Sequence, residues 1–362
     1  MPGASSDITA HFDLASIYMG QGQWFSYSIY YPAIYILTLG GNGDLAQISS
    51  FALLTIFTAI KAGTALYFAM KWVSVDRLAQ IIAIVYVFAM PIVNPFQPDD
   101  VYLGQFSANV WHNSTTIMAS IFVLPAFWFG LRVLERGDRR SSLLFMVFFL
   151  GLVASKPSFA LALGPALALV AVWNVIKNRD DEGVKSLLAL CASGVPAVLL
   201  LIVEYIVVFQ SDTVFPQTNV SFAPFEVWSL FSTNIPLSAL LSLAGPFAVI
   251  WAMGIGGFLK DRFLSIATLI LLVAIMQFIF VAAASPTGEV LYDGNWTWAV
   301  IPAMGLVFFR GTALVVSNLS CSELAPAEKI PWLIAGGLIF LHVMAGFYYV
   351  FSVGVDGFRT FA

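Results

Sequence analysis

Asp7 and His11 stand four residues apart near the start of the chain, within Ser6-Asp7-Ile8-Thr9-Ala10-His11. On a helix this spacing places both side chains on one face. A carboxylate beside an imidazole can act as a general base with its partner, or the two can ligate a metal. An alternative interpretation carries no chemistry, because Ser6 or Asp7 can instead open an amphipathic helix as its N-cap. We therefore treat Asp7 and His11 as candidate catalytic residues.

A denser polar cluster lies between positions 97 and 115. It brings two adjacent carboxylates, an imidazole and several amides into one loop that leads into a predicted membrane helix. A solvated loop needs no such set, so function is the favoured interpretation. Capping by Asn113 or Ser114 and an interfacial belt position for Trp111 explain single members only. The candidates are catalytic Asp99, Asp100 and His112, and substrate-binding Gln105, Asn109, Trp111 and Asn113.

Further groups suit a sugar phosphate. Lys156 can hold a phosphate as a point charge, although a snorkelling lysine at a span end is an equal alternative. The stretch from Asp293 to Trp298 offers a carboxylate, an amide and indole faces, although a turn followed by two belt tryptophans also explains it. An intramembrane carboxylate such as Glu204 is a functional candidate by default. The substrate-binding candidates here are Lys156, Glu204, Asp293, Asn295 and Trp296.

Membrane helices must position these residues. The chain is 60% hydrophobic and 10% charged, against roughly 25% charged residues in a soluble domain. A backbone in lipid must satisfy its own hydrogen bonds, and the apolar runs are too long for barrel strands. The sequence therefore predicts an all-α integral membrane protein with about ten spans: Leu45–Met70, Leu78–Asn94, Ser114–Leu134, Leu143–Ser155, Ser158–Ile176, Leu187–Phe209, Pro236–Leu259, Phe263–Ala283, Trp296–Val316 and Trp332–Phe351.

The domain organisation is predicted to be a single polytopic unit over residues 1–362. Residues 1–44 form an outer-face segment with an amphipathic or re-entrant helix around Tyr30–Leu39, and residues 45–352 form the transmembrane bundle. The start has no Lys or Arg before position 32 and does not resemble a signal peptide. The cysteines, Cys191 and Cys321, indicate neither a disulfide framework nor a metal site. Lys61 and Glu204 are taken as the mid-span charges.

The orientation follows from the placement of Lys and Arg, which accumulate in cytoplasmic loops. Under the ten-span prediction nearly all of them fall on one side. The other side carries the polar clusters with only two basic residues, Lys156 and Arg359. We therefore expect a multi-pass protein of the cytoplasmic membrane with both termini and the active face outside. The predicted cytoplasmic loops contain Lys71, Arg77, Arg132, Arg136, Arg139, Arg140, Lys177, Arg179, Lys185, Lys260, Arg262 and Lys329.

The order of the N-terminal motifs resembles the GT-C superfamily of polytopic glycosyltransferases. The resemblance consists of Asp7, the run Phe12–Gly20 and Tyr31-Pro32-Ala33-Ile34-Tyr35, with Gly104-Gln105 and Asn109 similar to a Gly-Gln-x-Asn element of some bacterial members. The stretches 111–115, 156–159 and 293–296 are similar to bacterial membrane proteins encoded with surface-polysaccharide functions. The family's first span and C-terminal soluble domain have no counterpart, so we expect a lost first helix or a late start.

This resemblance implies transfer of a sugar from a polyprenyl-phosphate donor to a glycan or lipid-linked acceptor at the bilayer. Asp7 would be the general base, and the reaction would invert the anomeric carbon. Lys156 and His112 would stabilise the departing phosphate. Asp99 and Asp100 would be tentative ligands of magnesium or manganese, because hard cations prefer oxygen ligands. No other cofactor is expected.

Three alternatives stay open. A repeat-unit polymerase would need an outer-face arginine pair, for which only Arg359 is available. A transporter or flippase of lipid-linked sugars would favour broken or charged helices near the midplane and an internal repeat. A scaffold that binds a partner through its outer loops is the third. No basic surface indicates a nucleic-acid partner.

Overall fold

Helices account for 81% of the residues that the structure describes. A computed structural model describes residues 7–24, 26–94, 112–178, 181–209, 219–285, 287–291 and 296–351. Short helical turns at Pro157–Phe159 and Thr297–Ala299 connect longer elements near the chain's polar clusters. The helices are α1 Ile8–Gly20, α2 Tyr30–Leu37, α3 Ala46–Ala69, α4 Asp76–Phe88, α5 Ser114–Arg136, α6 Arg139–Ser155, α7 Ala160–Asn178, α8 Asp181–Glu204, α9 Glu226–Phe231, α10 Ile235–Lys260, α11 Arg262–Phe280, α12 Val300–Ser320 and α13 Pro326–Tyr349.

Eight stretches in the described ranges are helical, long and apolar enough to cross a bilayer. They are built on α3, α5, α7, α8 and α10 to α13. Each of the ten predicted spans coincides with a helix, but α4 has 13 residues and α6 has 17, which is short against the roughly 20 that a bilayer requires. The helices are therefore consistent with a polytopic membrane protein, with eight full-length candidate spans rather than ten.

The second predicted span, Leu78–Asn94, is helical only as far as Phe88. The following segment, Ala89–Asn94, has no helical structure. Pro91 explains the break, because proline removes a backbone donor and disfavours the helical conformation at the residue before it. The span thus consists of a short helix followed by a non-helical segment, which we call the unwound segment.

The unwound segment is bonded to two later helices. Met90 N donates to the carbonyl of His342 in α13 at 3.2 Å, and Ile92 N donates to the carbonyl of Leu241 in α10 at 3.1 Å. The imidazole of His342 completes the connection, since its Nδ1 lies 2.6 Å from the carbonyl of Met90 and its Nε2 accepts from Gly245 N at 3.1 Å. Non-helical backbone at membrane depth is tolerated where protein satisfies it in this way.

Close packing accompanies these bonds. A Cβ atom at Gly346 in α13 would lie 1.8 Å from the carbonyl oxygen of Phe88, so only glycine fits there without movement of a helix. The rings of Phe88 and Phe347 stack at 4.5 Å. The end of α4 is therefore fitted closely against α13.

The N-terminal segment forms α1 and α2, and α2 coincides with the helix predicted around Tyr30–Leu39. Buried side chains in α1 recur every three or four residues, which gives the helix one buried face. Both helices pack in a second hydrophobic cluster with α3 and the start of α5. Ser28 Oγ donates to the carbonyl of Ser155 at 2.6 Å, which ties the segment to the end of α6. The buried residues of α1 are Ile8, His11, Phe12, Ala15, Tyr18 and Met19.

A small antiparallel sheet adds strand structure that the all-α prediction did not contain. Its strands are β1 Asn219–Phe222, β2 Val281–Ala284 and β3 Val290–Leu291, in the order β1-β2-β3. Phe222 pairs with Val281, and Ala284 pairs with Val290. The predicted eighth span, Phe263–Ala283, therefore ends three residues early as a helix, at Phe280, because the chain there enters the sheet.

A partly buried ion pair corrects the assignment of mid-span charges. Arg310 lies inside the ninth predicted span and was missed beside Lys61 and Glu204. Its Nε and Nη2 donate to Oδ2 of Asp261 at 2.9 and 2.7 Å, and its guanidinium lies 4.4 Å from the ring centroid of Trp72. Asp261 also caps α11. This pair joins α12 to the α10–α11 junction.

Candidate functional site

Asn113 is the centre of a polar cluster at one end of the bundle, which we call the site cluster. It is the N-cap of α5, as the sequence predicted, and its Oδ1 accepts from Thr116 N at 3.0 Å. The same oxygen accepts from the hydroxyls of Thr115 and Thr116 at 2.8 and 2.9 Å, and from Lys156 Nζ at 3.1 Å. Because four donors surround this oxygen, the amide can face only one way.

The other side of the Asn113 amide faces the N-terminal segment. Its Nδ2 lies 2.8 Å from His11 Nε2 and donates to Asp7 Oδ2 at 3.3 Å. The imidazole nitrogen must therefore be the acceptor, which leaves the ring proton on Nδ1. His11 Nδ1 then donates to the Tyr31 hydroxyl at 3.0 Å, and the Tyr31 hydroxyl is bonded to that of Tyr27. Both nitrogens of His11 are thus occupied.

Asp7 is the accessible member of the site cluster. Its backbone N–H donates to the carbonyl of His112 at 2.9 Å, and its side chain is 42% exposed. The residue occupies the N-cap position of α1, but its side chain makes no capping hydrogen bond. Instead Oδ2 lies 3.6 Å from His112 Nε2. The carboxylate is therefore turned away from its own helix and towards the start of α5.

His112 joins the site cluster to α13. Its Nδ1 lies 3.0 Å from the Tyr349 hydroxyl near the end of α13. Its ring stacks on the indole of Trp298, with centroids 5.5 Å apart and an interplanar angle of 25°. These contacts leave the residue 5% exposed. His112 is therefore held on three sides, by Asp7, Trp298 and Tyr349.

Lys156 contributes a buried amine. It follows the end of α6 with φ −164°, an extended conformation that turns the side chain away from the helix path. Its Nζ donates to Asn113 Oδ1 and to Thr115 Oγ1, both at 3.1 Å, and lies 4.7 Å from the ring centroid of Trp298. With 6% exposure it does not snorkel to the surface. The interpretation of Lys156 as a snorkelling residue is therefore wrong.

The electrostatics of the site cluster favour neutral histidines. Burial lowers the pKa of His11 from 6.5 to about 3; the charge of Lys156 adds to this lowering, and that of Asp7 opposes it. Burial also lowers the pKa of His112, against an opposing effect of Asp7. A positive charge next to a buried imidazole disfavours its protonation. Near pH 7 both rings are therefore uncharged.

The structure brings together five of the predicted site residues: Asp7, His11, His112, Asn113 and Lys156. Trp296 begins the turn that carries Trp298 and is half-buried. Glu204 ends α8 as a buried side chain, 2% exposed, and no contact recorded among the described residues joins it to the site cluster. Seven predicted residues lie outside the described part of the chain: Asp99, Asp100, Gln105, Asn109, Trp111, Asp293 and Asn295.

Four residues join the site cluster without having been predicted as site residues. Thr115 and Trp298 lie inside two polar stretches that the sequence analysis selected. The polar residues beside them were therefore the sequence feature that could have identified them. Tyr31 precedes a proline in the N-terminal motif. Tyr349 had no signal, because it lies 237 residues from its partner His112 at the end of an ordinary apolar span.

No group of three or more His, Cys, Asp or Glu side chains is arranged to hold a metal ion within the described ranges. The predicted metal ligands, Asp99 and Asp100, lie outside those ranges. The chemistry available from the described residues is that of a carboxylate with exposure to solvent, backed by neutral imidazoles, a buried amine and an indole. Such a carboxylate can take a proton from a hydroxyl group.

Comparison with known proteins assigns no family or function to this chain. No family model, curated protein or solved structure matches the chain. The GT-C resemblance therefore stays a prediction from short motifs.

Proposed function

We propose that the protein is a membrane glycosyltransferase that moves a sugar from a polyprenyl-phosphate donor to a hydroxyl of a glycan or lipid-linked acceptor. One observation carries the proposal: the Asp7 carboxylate is the accessible group of an otherwise buried set of polar side chains. General-base catalysis needs a carboxylate that a substrate can reach and that its neighbours hold in place. Asn113 and His112 contact the buried side of the Asp7 carboxylate. Its other side stays exposed to solvent.

The proposed reaction is an inverting displacement. Asp7 accepts the proton of the acceptor hydroxyl as its oxygen forms a bond to the anomeric carbon of the donor. The bond between that carbon and the phosphate oxygen breaks, and polyprenyl phosphate leaves with the bonding electron pair. The proton on Asp7 then passes to water. A carbohydrate ring suits the half-buried indole of Trp296, since that of Trp298 is already in contact with His112 and Lys156.

The buried amine of Lys156 supports the leaving phosphate electrostatically. Its donors are directed at Asn113 and Thr115, so in this proposal it acts as a nearby positive charge rather than as a direct ligand. A fixed charge in a site with little water is worth more than the same charge in solution. His11 has a positioning role, because both of its ring nitrogens are bonded.

The test is transfer by the purified full-length chain in detergent or liposomes. Labelled polyprenyl-phosphate sugars and a panel of acceptor glycans are supplied, and both the labelled glycan and the released polyprenyl phosphate are measured. The proposal expects stoichiometric formation of the two products. Labelled lipid that is bound or moved across the bilayer without any cleavage would overturn it.

The proposal places the site cluster on the non-cytoplasmic face of the cytoplasmic membrane. The opposite end carries Lys71, Arg136 and Arg140, and such residues favour the cytoplasmic side. Cys321, between α12 and α13, offers a direct measurement, since α13 ends at the site cluster and begins beside Cys321. A membrane-impermeant maleimide should leave Cys321 unlabelled in intact cells and label it after permeabilisation. Labelling of intact cells would reverse the proposed orientation.

A second candidate, a transporter of lipid-linked sugars, is favoured by the unwound segment Ala89–Asn94. Discontinuous membrane helices are a feature of transporters, where their free backbone groups lie at the substrate path. In proteoliposomes a transporter would move an uncleaved labelled donor from one leaflet to the other, and Asp7→Asn would leave that movement unchanged. A transferase would lose product formation in the same variant.

A further inference from the structure

A cavity of about 240 Å³ lies at the end of the bundle opposite the site cluster. The end of α3, the end of α5 and the start of α6 enclose it. Its lining combines four basic side chains with aromatic rings, and it is partly open to the outside. The basic residues are Lys71, Arg132, Arg136 and Arg140, and the aromatic residues include Tyr67 and Trp128.

The aromatic rings position two of these cations. Lys71 Nζ lies 4.4 Å from the ring centroid of Tyr67, and the Arg132 guanidinium lies 5.7 Å from that of Trp128. Such contacts hold a cation while leaving its hydrogen-bond donors available. The positive charges therefore converge on one cavity instead of spreading across separate loops.

The basic side chains keep most of their charge uncompensated. Among the described residues, none of the ion pairs involves Lys71, Arg132, Arg136 or Arg140. The one carboxylate in the lining, Asp138, caps α6 and accepts from Ser141 N and Ser141 Oγ at 2.9 and 2.7 Å. These two bonds, together with a weaker effect of Arg136, hold the pKa of Asp138 below its usual value. A surplus of positive charge in a concave site attracts an anionic ligand.

The surface next to the cavity is apolar and exposed. Leu143 and Val147 stand three and seven residues after Arg140, on the same side of α6, and are 47% and 57% exposed. Tyr67 is 53% exposed on the α3 side. An acyl chain running along these residues would continue directly from a phosphate group held by the cations. A free anion would make no use of this surface.

We infer that this cavity binds the phosphate group of an anionic glycerophospholipid, with the acyl chains lying along α6. Basic pockets between membrane helices recognise lipid phosphates in this way. Arginine guanidinium groups suit the ligand because their paired donors match phosphate oxygens. The inference is independent of the proposed transferase activity, since it uses residues at the opposite end of the bundle.

The experiment measures lipid binding to the detergent-purified full chain by native mass spectrometry. Dioctanoyl phosphatidylglycerol is titrated against the wild type, with dioctanoyl phosphatidylcholine as the neutral lipid and inorganic phosphate as the free anion. We expect one phosphatidylglycerol to be retained per chain, tighter than phosphatidylcholine, and not displaced by an equal concentration of inorganic phosphate. Equal retention of the two lipids, or displacement by inorganic phosphate, would overturn the proposal.

Variants then locate the site. Each removed cation should weaken binding roughly fivefold, so the triple variant Lys71→Gln/Arg132→Gln/Arg136→Gln should lose on the order of 100-fold. The single variant Arg136→Gln provides the measurement if the triple variant fails to fold. Lys177→Gln/Lys260→Gln is the matched control, because these residues lie in the last turns of α7 and α10, whose ends face the same side. Unchanged binding in Arg136→Gln, or an equal loss in the control, would contradict the assignment.

Discussion

Asn113 Nδ2 lies 2.8 Å from His11 Nε2, and this contact determines the protonation state of the histidine. The amide cannot reverse, because its oxygen already accepts from Lys156 and from the first turn of α5. A proton on Nε2 would place two donors against each other. His11 is therefore held as the neutral Nδ1–H tautomer, in agreement with its lowered pKa.

The first prediction concerns stability in acid. His11 has a folded pKa of about 3 against 6.5 for an ordinary histidine, so the unfolded chain binds the proton more tightly. Its contribution to stability is complete above pH 6.5 and is lost as the pH falls towards 3, roughly 3 kcal/mol by pH 4. Thermal unfolding in detergent between pH 7.5 and pH 4 measures the loss.

His11→Gln is the comparison for that measurement, since its side-chain oxygen can accept from Asn113 without titrating. The variant should be somewhat less stable than the wild type at neutral pH. Its melting temperature should then fall less steeply with acid, with His112 responsible for part of the remaining slope. Parallel curves for the two proteins would contradict the assignment of a neutral, buried His11.

Asp7→Asn is predicted to reduce turnover by about 10²–10⁴-fold, the usual contribution of a general base. The amide retains an oxygen that can accept from Asn113, so folding and donor binding should stay close to wild type. Asp13→Asn is the matched control, because Asp13 is an exposed carboxylate on the same helix, α1. Turnover near the wild-type rate in Asp7→Asn, or an equal loss in Asp13→Asn, would rule out the base assignment.

Asn113→Ala should destabilise the protein by about 2–4 kcal/mol. It removes a helix cap, worth about 1 kcal/mol, and leaves the buried Lys156 amine without one of its acceptors. Asn234→Ala is the control, since Asn234 caps α10 by accepting from Leu237 N at 3.1 Å in an exposed position. The control should lose about 1 kcal/mol. Equal losses in thermal unfolding would mean that Asn113 acts as a cap alone.

Gly346→Ala is predicted to destabilise the bundle by about 2–3 kcal/mol, the usual result of overpacking. The new methyl group would meet the carbonyl of Phe88 and push α4 away from α13. Gly337→Ala lies in the same helix with no atom within 4 Å of the added Cβ. It should be neutral or slightly stabilising, because alanine favours the helix. Similar melting temperatures for both variants would show that the close approach to Phe88 is relaxed in solution.

The sequence predicted the helices well, because bilayer spans are governed by length and hydropathy. It also selected Asp7, His11, His112, Asn113 and Lys156, whose polar character is conspicuous in an apolar chain. Their convergence could not be predicted, since Asn113 and Lys156 lie 43 residues apart, one before α5 and the other after α6. The spacing of residues along the sequence shows only which side chains are close within one helix or loop.

The misassignments have physical causes. Hydropathy is unchanged where Pro91 ends α4, so an apolar stretch was taken as one complete helix. Val281–Ala284 is likewise apolar and continues the eighth span in composition, yet its backbone pairs with two strands. Arg310 was hidden within a long apolar run, and its partner Asp261 sits in a short loop that gave no sign of the pairing.

The unwound segment has a consequence for biogenesis. Met90 and His342 are 252 residues apart, and a ribosome delivers the earlier one to the membrane long before the later one exists. Until α10 and α13 have been inserted, the backbone N–H groups of Met90 and Ile92 lack the carbonyl groups that accept from them in the folded protein and must stay near water or another protein. Insertion of α13 is therefore the step that supplies the partners of Met90.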